Sequence, residues 1–167
     1  VSDTMYSSEN GLNTWDEVNL ISKGNYYGWN TCEGRFLNSS TSATCNAVGA
    51  VAPIVDWGAP LPSVTGILYY SGSVWPALDN HLLVADNNYG RVYDCTLGNP
   101  PFYNTVTSKV LLGDMTTSGG LTTLKQSADG CIFAMKGGYT TAGTIYKICP
   151  IGVGIEEKKT QTGTMSV

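Results

Sequence analysis

Charge is what this sequence has least of. Only 13% of its 167 residues are charged, with nine Lys and Arg, thirteen Asp and Glu and a single histidine, for a net charge of −4. So few cations exclude a nucleic-acid surface, because phosphate binding needs clustered Lys and Arg. Long apolar runs are missing too. None approaches the roughly 20 residues a membrane helix needs, so no span is expected. No leader-like segment opens the chain, although a mature secreted chain would have lost one. There is no C-x-x-C pair for a zinc site, no G-x-S-x-G nucleophile elbow, no phosphate-binding loop and no H-E-x-x-H. Each absence removes one common chemistry.

What is present favours strands. Gly, Ser, Thr, Asn and Tyr are plentiful, and Thr, Tyr and Val suit a pleated surface. Helical periodicity is absent throughout. The segments Thr65–Tyr70, His81–Asp86, Arg91–Leu97 and Ser108–Leu112 read as strands separated by turn residues at 71–72, 86–90 and 98–101. Four antiparallel strands in succession make one blade of a β-propeller. Leu121–Gln126, Cys131–Lys136 and Thr144–Cys149 form a second set of three, with Ala128-Asp129-Gly130 as its tight turn. Thr4–Ser8 and Glu17–Ile21 read as the end of a preceding blade. Residues 30–62 form a long excursion without regular pattern, of a length that is usually functional or covalently restrained. After Pro150 the periodicity stops, so residues 1–151 read as propeller and 152–167 as a polar tail or linker.

Five cysteines in so polar a chain point to an oxidising compartment. Cys32 and Cys45 bracket a Ser/Thr-rich loop, where a disulfide would contribute about 3 kcal/mol by restricting the unfolded loop. Cys131 and Cys149 flank neighbouring strands and could also pair. Cys95 is then odd, either buried and free or bonded to another chain. Asn38-Ser39-Ser40 is a glycosylation sequon in the same loop, which suits secretion. Trp15, Trp29, Trp57 and Trp75 are expected to pack between blades. Asp86, Asp94, Asp114 and Asp129 are expected to cap turns at strand ends, and His81 to be a surface residue at a strand edge.

The most informative stretch runs from Ser8 to Trp29. Ser8-Glu9-Asn10-Gly11-Leu12-Asn13-Thr14-Trp15-Asp16-Glu17 joins an acidic, glycine-bearing turn to an apolar strand, and Gly24-Asn25-Tyr26-Tyr27-Gly28-Trp29 adds an aromatic glycine turn. With Ser63–Gly72, Val74-Trp75-Pro76-Ala77-Leu78, Leu82–Asp86 with Gly90–Tyr93, and Ala128–Phe133, these pieces resemble in order and spacing the glucose/sorbosone dehydrogenase family. That family contains six-bladed β-propellers, among them soluble pyrroloquinoline quinone (PQQ) sugar dehydrogenases and non-enzymatic extracellular relatives. The cysteine loop after Trp29 is closer to the hedgehog-interacting-protein-like branch.

The resemblance implies an all-β fold, with about two to three blades of four antiparallel strands from the C-terminal half of a six-bladed propeller. Two to three blades cannot close a ring and leave open edges. The expected partner is therefore the remainder of the propeller or another chain completing it. In the enzymes a calcium ion bridges PQQ to backbone carbonyls that fall on Gly11 and Leu12. A separate structural calcium in some members uses a carboxylate matching Glu17 and a carbonyl matching Tyr27. Calcium is thus the cofactor this turn implies, since oxygen donors suit it.

PQQ fares worse, because its three carboxylates need positive partners. The family's lysine falls on Asn88 and its arginine on Thr122, and neither supplies charge. Arg91, Lys125 and Lys136 read as ordinary strand residues. The family's catalytic histidine lies in the N-terminal half, outside this chain, so no catalytic residue is assigned. The expectation is an extracellular, non-catalytic propeller domain that binds a protein or glycan or builds an assembly. The alternative is the C-terminal half of a PQQ- and calcium-dependent aldose dehydrogenase.

Overall fold

A computed structural model describes residues 4–38, 40, 42–115, 119–137 and 142–151. The tail expected at 152–167 and the sequon's Ser39 lie outside the described residues. Twelve strands are named in chain order. They are β1 (Met5–Glu9), β2 (Trp15–Ile21), β3 (Cys32–Glu33), β4 (Phe36–Leu37), β5 (Val55–Gly58) and β6 (Val64–Tyr70), then β7 (His81–Asp86), β8 (Arg91–Gly98), β9 (Thr105–Asp114), β10 (Leu121–Gln126), β11 (Ile132–Lys136) and β12 (Thr144–Ile148). Only two short 3-10 turns, Cys45–Val48 and Pro76–Leu78, interrupt them among the described residues.

The strands form antiparallel sheets in the orders β1-β2-β5, β6-β7-β8-β9 and β10-β11-β12, with β3-β4 as a small hairpin. The middle sheet is a complete blade. Its third strand and its edge strand β9 run further than the apolar patterning indicates, because Gly98 and Thr105 continue the ladder without apolar alternation, past a bulge at Thr107. The excursion at 30–62 is more ordered than its composition suggests. It holds β3, β4 and β5, and β5 joins the first sheet by pairing Val55 to Gly58 with Val18 to Trp15. Val55-Asp56-Trp57-Gly58 is too short to show a period on its own.

Face-to-face stacking of the three sheets explains the apolar run Leu82-Leu83-Val84-Ala85. Successive side chains of a strand point to opposite faces. Leu82 and Val84 join Val18, Val55, Trp57, Cys95 and Leu97 between the first and second sheets. Leu83 and Ala85 join Tyr70, Val92, Leu121, Leu124, Ile132 and Ala134 between the second and third. A strand buried on both faces reads as continuous rather than alternating. At roughly 2 kcal/mol for each fully buried aliphatic side chain, β7 is the strand that binds both layers.

The innermost strands approach most closely. Ser8 Oγ donates to the Thr65 carbonyl, and Thr65 Oγ1 donates to the Leu121 carbonyl, so one chain of hydroxyl bonds runs across β1, β6 and β10. Gly66 permits this contact, since a Cβ there would lie 2.6 Å from Thr123 Cα.

Both expected disulfides form, Cys32–Cys45 and Cys131–Cys149, and Cys95 is free and buried. Burial pushes the Cys95 thiol up to about 12, which leaves it unreactive at neutral pH. Three expectations are corrected. His81 is not a surface residue, because its Nδ1 lies 2.6 Å from Asp94 Oδ1 and its side chain is mostly buried. Asp94 is therefore a mid-strand partner of His81 rather than a turn cap. Trp29 is exposed instead of packing between blades, whereas Trp57 is buried.

Gly66→Ala should lower stability by about 1–3 kcal/mol, since the added methyl meets backbone that cannot rotate away. Denaturant unfolding of the full-length protein measures this, and an unchanged midpoint would mean the inner strands can part without cost.

Candidate functional site

Loops from all three sheets meet at one end of the stack. The Asp16 carboxylate accepts the Gly11 N–H (3.0 Å) through Oδ1 and the Ser63 N–H (2.6 Å) through Oδ2. The Ser63 carbonyl accepts the Asn87 N–H, and the Asn87 carbonyl accepts the Gly120 N–H. Asn87 Nδ2 also donates to the Leu121 carbonyl. The loops at 9–16, 61–63, 86–90 and 119–120 thus form one hydrogen-bonded surface. His81, at the opposite end of β7 from Asp86, stands about 17 Å from it by strand rise.

The acidic turn is built around a residue that its own sequence does not contain. Glu33 accepts the N–H groups of Leu12 (3.0 Å), Asn13 (3.2 Å), Thr14 (2.7 Å) and Trp15 (3.3 Å), together with the Thr14 hydroxyl (2.5 Å). Successive backbone N–H groups converging on one anion form a nest. Burial opposes ionisation of Glu33, but the Thr14 hydroxyl and the N–H groups of Thr14, Asn13 and Leu12 outweigh it, holding the carboxyl below its usual range. Glu33 follows Cys32 directly, so the Cys32–Cys45 bridge helps to fix the carboxylate under the turn. That adjacency was the available signal for it.

Close packing completes the turn. A Cβ on Gly11 would sit 1.8 Å from the Trp15 carbonyl oxygen, so only glycine fits there. Gly11, Glu17 and Tyr27 line a single cavity of about 20 Å³, together with Glu9, Asn10, Trp15, Trp29, Cys32 and Glu33. That space holds about one water or one small ion. Leu12 lies outside the lining, with its side chain exposed. Tyr27 is held by its hydroxyl, which donates to the Leu20 carbonyl and accepts the Ser22 N–H at the end of β2.

The cavity is strongly anionic. Glu17 is buried, and burial is the main reason its pKa rises to about 7. The Asn19 amide and the Gly34 N–H work against this, while the charges of Glu9 and Asp56 reinforce it. Asp16 is also raised, first by burial, despite N–H bonds from Gly11, Ser63 and Val64. Arg35 and Lys109 are nearby cations; Asp56 engages Arg35 through two bonds of 2.7 Å, and Lys109 Nζ donates to the Asp56 carbonyl (2.6 Å). Among the described residues, no group of three or more His, Cys, Asp or Glu side chains is placed to hold a metal.

The positions carrying the two implied cation replacements are turned to structural work. Asn88 Nδ2 donates to the Leu61 carbonyl, and its N–H bonds the Pro62 carbonyl. Thr122 Oγ1 donates to the Met135 carbonyl across β10 and β11. Arg91 pairs with Asp114 and lies over the Tyr89 ring. Asn38 is exposed in the cysteine loop, and its side-chain amide donates to the Asn30 carbonyl.

Face-packed antiparallel blades with loops gathered at one end define a β-propeller protein. The chain belongs to the glucose/sorbosone dehydrogenase family, whose sequence profile matches residues 1–147. Its fold is similar to that of a glucose dehydrogenase (18% identity, TM-score 0.70, covering 90% of this chain and 42% of that one). It is also similar to the PQQ-bound aldose sugar dehydrogenase of Streptomyces coelicolor (18%, 0.62, 87% and 40%). The apo soluble aldose sugar dehydrogenase of Escherichia coli is a further match (20%, 0.67, 90% and 42%). No curated protein sequence matches. The chain spans about two fifths of these structures' lengths.

Glu33→Gln should cost about 1.5–3 kcal/mol, the range for hydrogen bonds to a charged group. Because the folded pKa is depressed, the carboxylate's contribution is present above the unfolded value of about 4.3 and is lost as pH falls through the folded one. Stability measured from pH 7 to pH 3 should fall more steeply in the wild type than in Glu33→Gln. Parallel curves would remove Glu33 from its central place.

Proposed function

We propose that this chain is part of an extracellular, calcium-holding β-propeller domain that has given up quinone chemistry and serves binding or assembly. The observation that carries this reading is the neutral pair Asn88 and Thr122. Both side chains are hydrogen-bonded to the protein's own carbonyls, at positions where the resemblance implies a lysine and an arginine. A buried tricarboxylate without cationic partners is not stabilised. These residues therefore do not fit PQQ, and no hydride-transfer step is assigned to them. The lone histidine offers no substitute base at this surface, since His81 stands at the opposite end of β7 from the loop end at Asp86.

Calcium fits better. The cavity is small and offers carboxylate and carbonyl oxygens, with no imidazole in its lining, and its one sulfur donor, Cys32, is bound in a disulfide. Glu17 and the backbone at Tyr27 would hold the ion, which would neutralise buried acid and fix the turn. Extracellular placement rests on the two disulfides and on the exposed Asn38 of the sequon; a chain in an oxidising compartment keeps such bonds. No helix among the described residues is long and apolar enough to cross a membrane.

The third sheet supplies the assembly surface. Thr123, Lys125, Phe133, Met135 and Ile145 line an open apolar cavity of about 270 Å³ on the face turned away from the core. The middle sheet is covered on both faces by its neighbours. By the same pattern, the next blade of the propeller covers this face, whether it comes from the rest of the protein or from another chain. A protein or glycan ligand would then use the loop surface.

The second reading, half of a PQQ- and calcium-dependent aldose dehydrogenase, is favoured by the retained acidic turn, in which Leu12 replaces the family's proline, and by likeness to the PQQ-bound Streptomyces enzyme. Full-length protein supplied with PQQ and calcium should not reduce a dye acceptor with aldoses. Robust turnover would select the second reading. Separately, Ile145→Lys in the full-length protein should cost about 2–4 kcal/mol by placing a charge between blades, whereas a surface position would show less than about 0.5 kcal/mol.

A further inference from the structure

We propose that Asn10 is a site of spontaneous deamidation, gated by the contacts that hold the acidic turn and irreversible once used. This modification depends on neither calcium nor a quinone.

The chemistry needs only water. The backbone nitrogen that follows an asparagine attacks the side-chain carbonyl carbon, and the new C–N bond closes a five-membered imide. The side-chain nitrogen leaves as ammonia, taking the proton of the attacking nitrogen. Water then opens the imide at one of its two carbonyls. One opening gives aspartate. The other gives isoaspartate, whose backbone runs through the former side chain and is one carbon longer.

Residue type and access single out Asn10. Asn10-Gly11 is the only Asn-Gly step in the chain, and a following glycine has no Cβ to hinder the attack. Asn10 is exposed, and among the described residues its side-chain amide has no hydrogen-bond partner. Other exposed asparagines are worse placed. The Asn38 amide is bonded to the Asn30 carbonyl, and Asn99 precedes Pro100, which has no N–H to lose.

The fold restrains the attacking atom. Gly11 N–H donates to Asp16 Oδ1 at 3.0 Å, so its proton is engaged and its nitrogen is turned toward Asp16. Removing that proton beside a carboxylate would also bring two negative charges together. From Leu12 to Trp15, Glu33 pins the successive N–H groups. Attack therefore waits for the turn to open, a local event with a smaller free energy than global unfolding. Closing again as isoaspartate is blocked. A single added carbon on Gly11 would lie 1.8 Å from the Trp15 carbonyl oxygen, so a longer backbone beside it has no room. The Asp16 bridge from Gly11 to Ser63 is then lost, and the loop ends of the first and second sheets come apart.

Full-length protein is aged in warm neutral buffer, and peptide mapping by mass spectrometry follows every asparagine. Isoaspartyl methyltransferase labelling marks the longer-backbone product. In native protein Asn10 should convert before any other asparagine, yet about tenfold or more slowly than in urea-denatured protein. Glu33→Gln should raise the native rate about threefold or more. If that variant fails to fold, hydrogen exchange at Leu12 to Trp15 in the wild type takes its place. Opening measured there should rise in step with Asn10 conversion as urea is added below the unfolding midpoint. Equal native and denatured rates would overturn the gate, and earlier conversion of another asparagine in native protein would overturn the site. Purified isoaspartate protein should melt below Asn10→Asp, which carries the same charge on an ordinary backbone. Equal melting temperatures would overturn the irreversible step.

Discussion

One carboxylate holds the loop end of this molecule together. Glu33 gathers four consecutive backbone N–H groups and a hydroxyl from residues 12–15, and without it that tight turn would lose the one acceptor these donors share. The turn in turn fixes Asp16, which clamps Gly11 to Ser63 and so ties the first sheet to the second. From Ser63 the bonds run on to Asn87 and Gly120, reaching the third. The geometry of the candidate cavity depends on this sequence of contacts.

The same arrangement explains why acid accumulates where the fold could hardly afford it. Glu9, Asp16, Glu17, Glu33 and Asp56 lie close together, and the nearby cations Arg35 and Lys109 both gather at Asp56. Glu33 is stabilised by dipoles rather than by a cation, which frees it from needing one. Glu17 has no such nest, and its pKa rises. A divalent ion would answer the unbalanced part. Asn88 and Thr122, where the resemblance implies cations, are instead bonded to the protein's own carbonyls.

Much of this was legible in the chain. The strand at Leu82–Ala85 declared itself by unbroken apolar residues, and Asp86-Asn87-Asn88-Tyr89-Gly90 by turn chemistry, because both signals are local. The cysteine pairings followed from spacing around short loops. The strand at Val55–Gly58 was hidden, since four residues show no period and its pairing with Trp15–Val18 is a long-range choice. His81 misled for the same reason. Nothing near it in sequence reveals Asp94, thirteen residues away on the adjacent strand.

The sequence by itself determined the class: an all-β propeller segment of the glucose/sorbosone dehydrogenase family, with a glycine-bearing acidic turn. Those are properties of residue type and order, and they survive without coordinates. Only the tertiary structure decided what the turn is made of. Glu33 reaches it from eighteen residues beyond Trp15, through the cysteine loop, and Asn19 comes to lie between two glutamates because strand pairing puts them on one face. Hydrogen bonds and charge act through space over a few ångströms, so a site assembled from separate strands has no signature in any one stretch of chain.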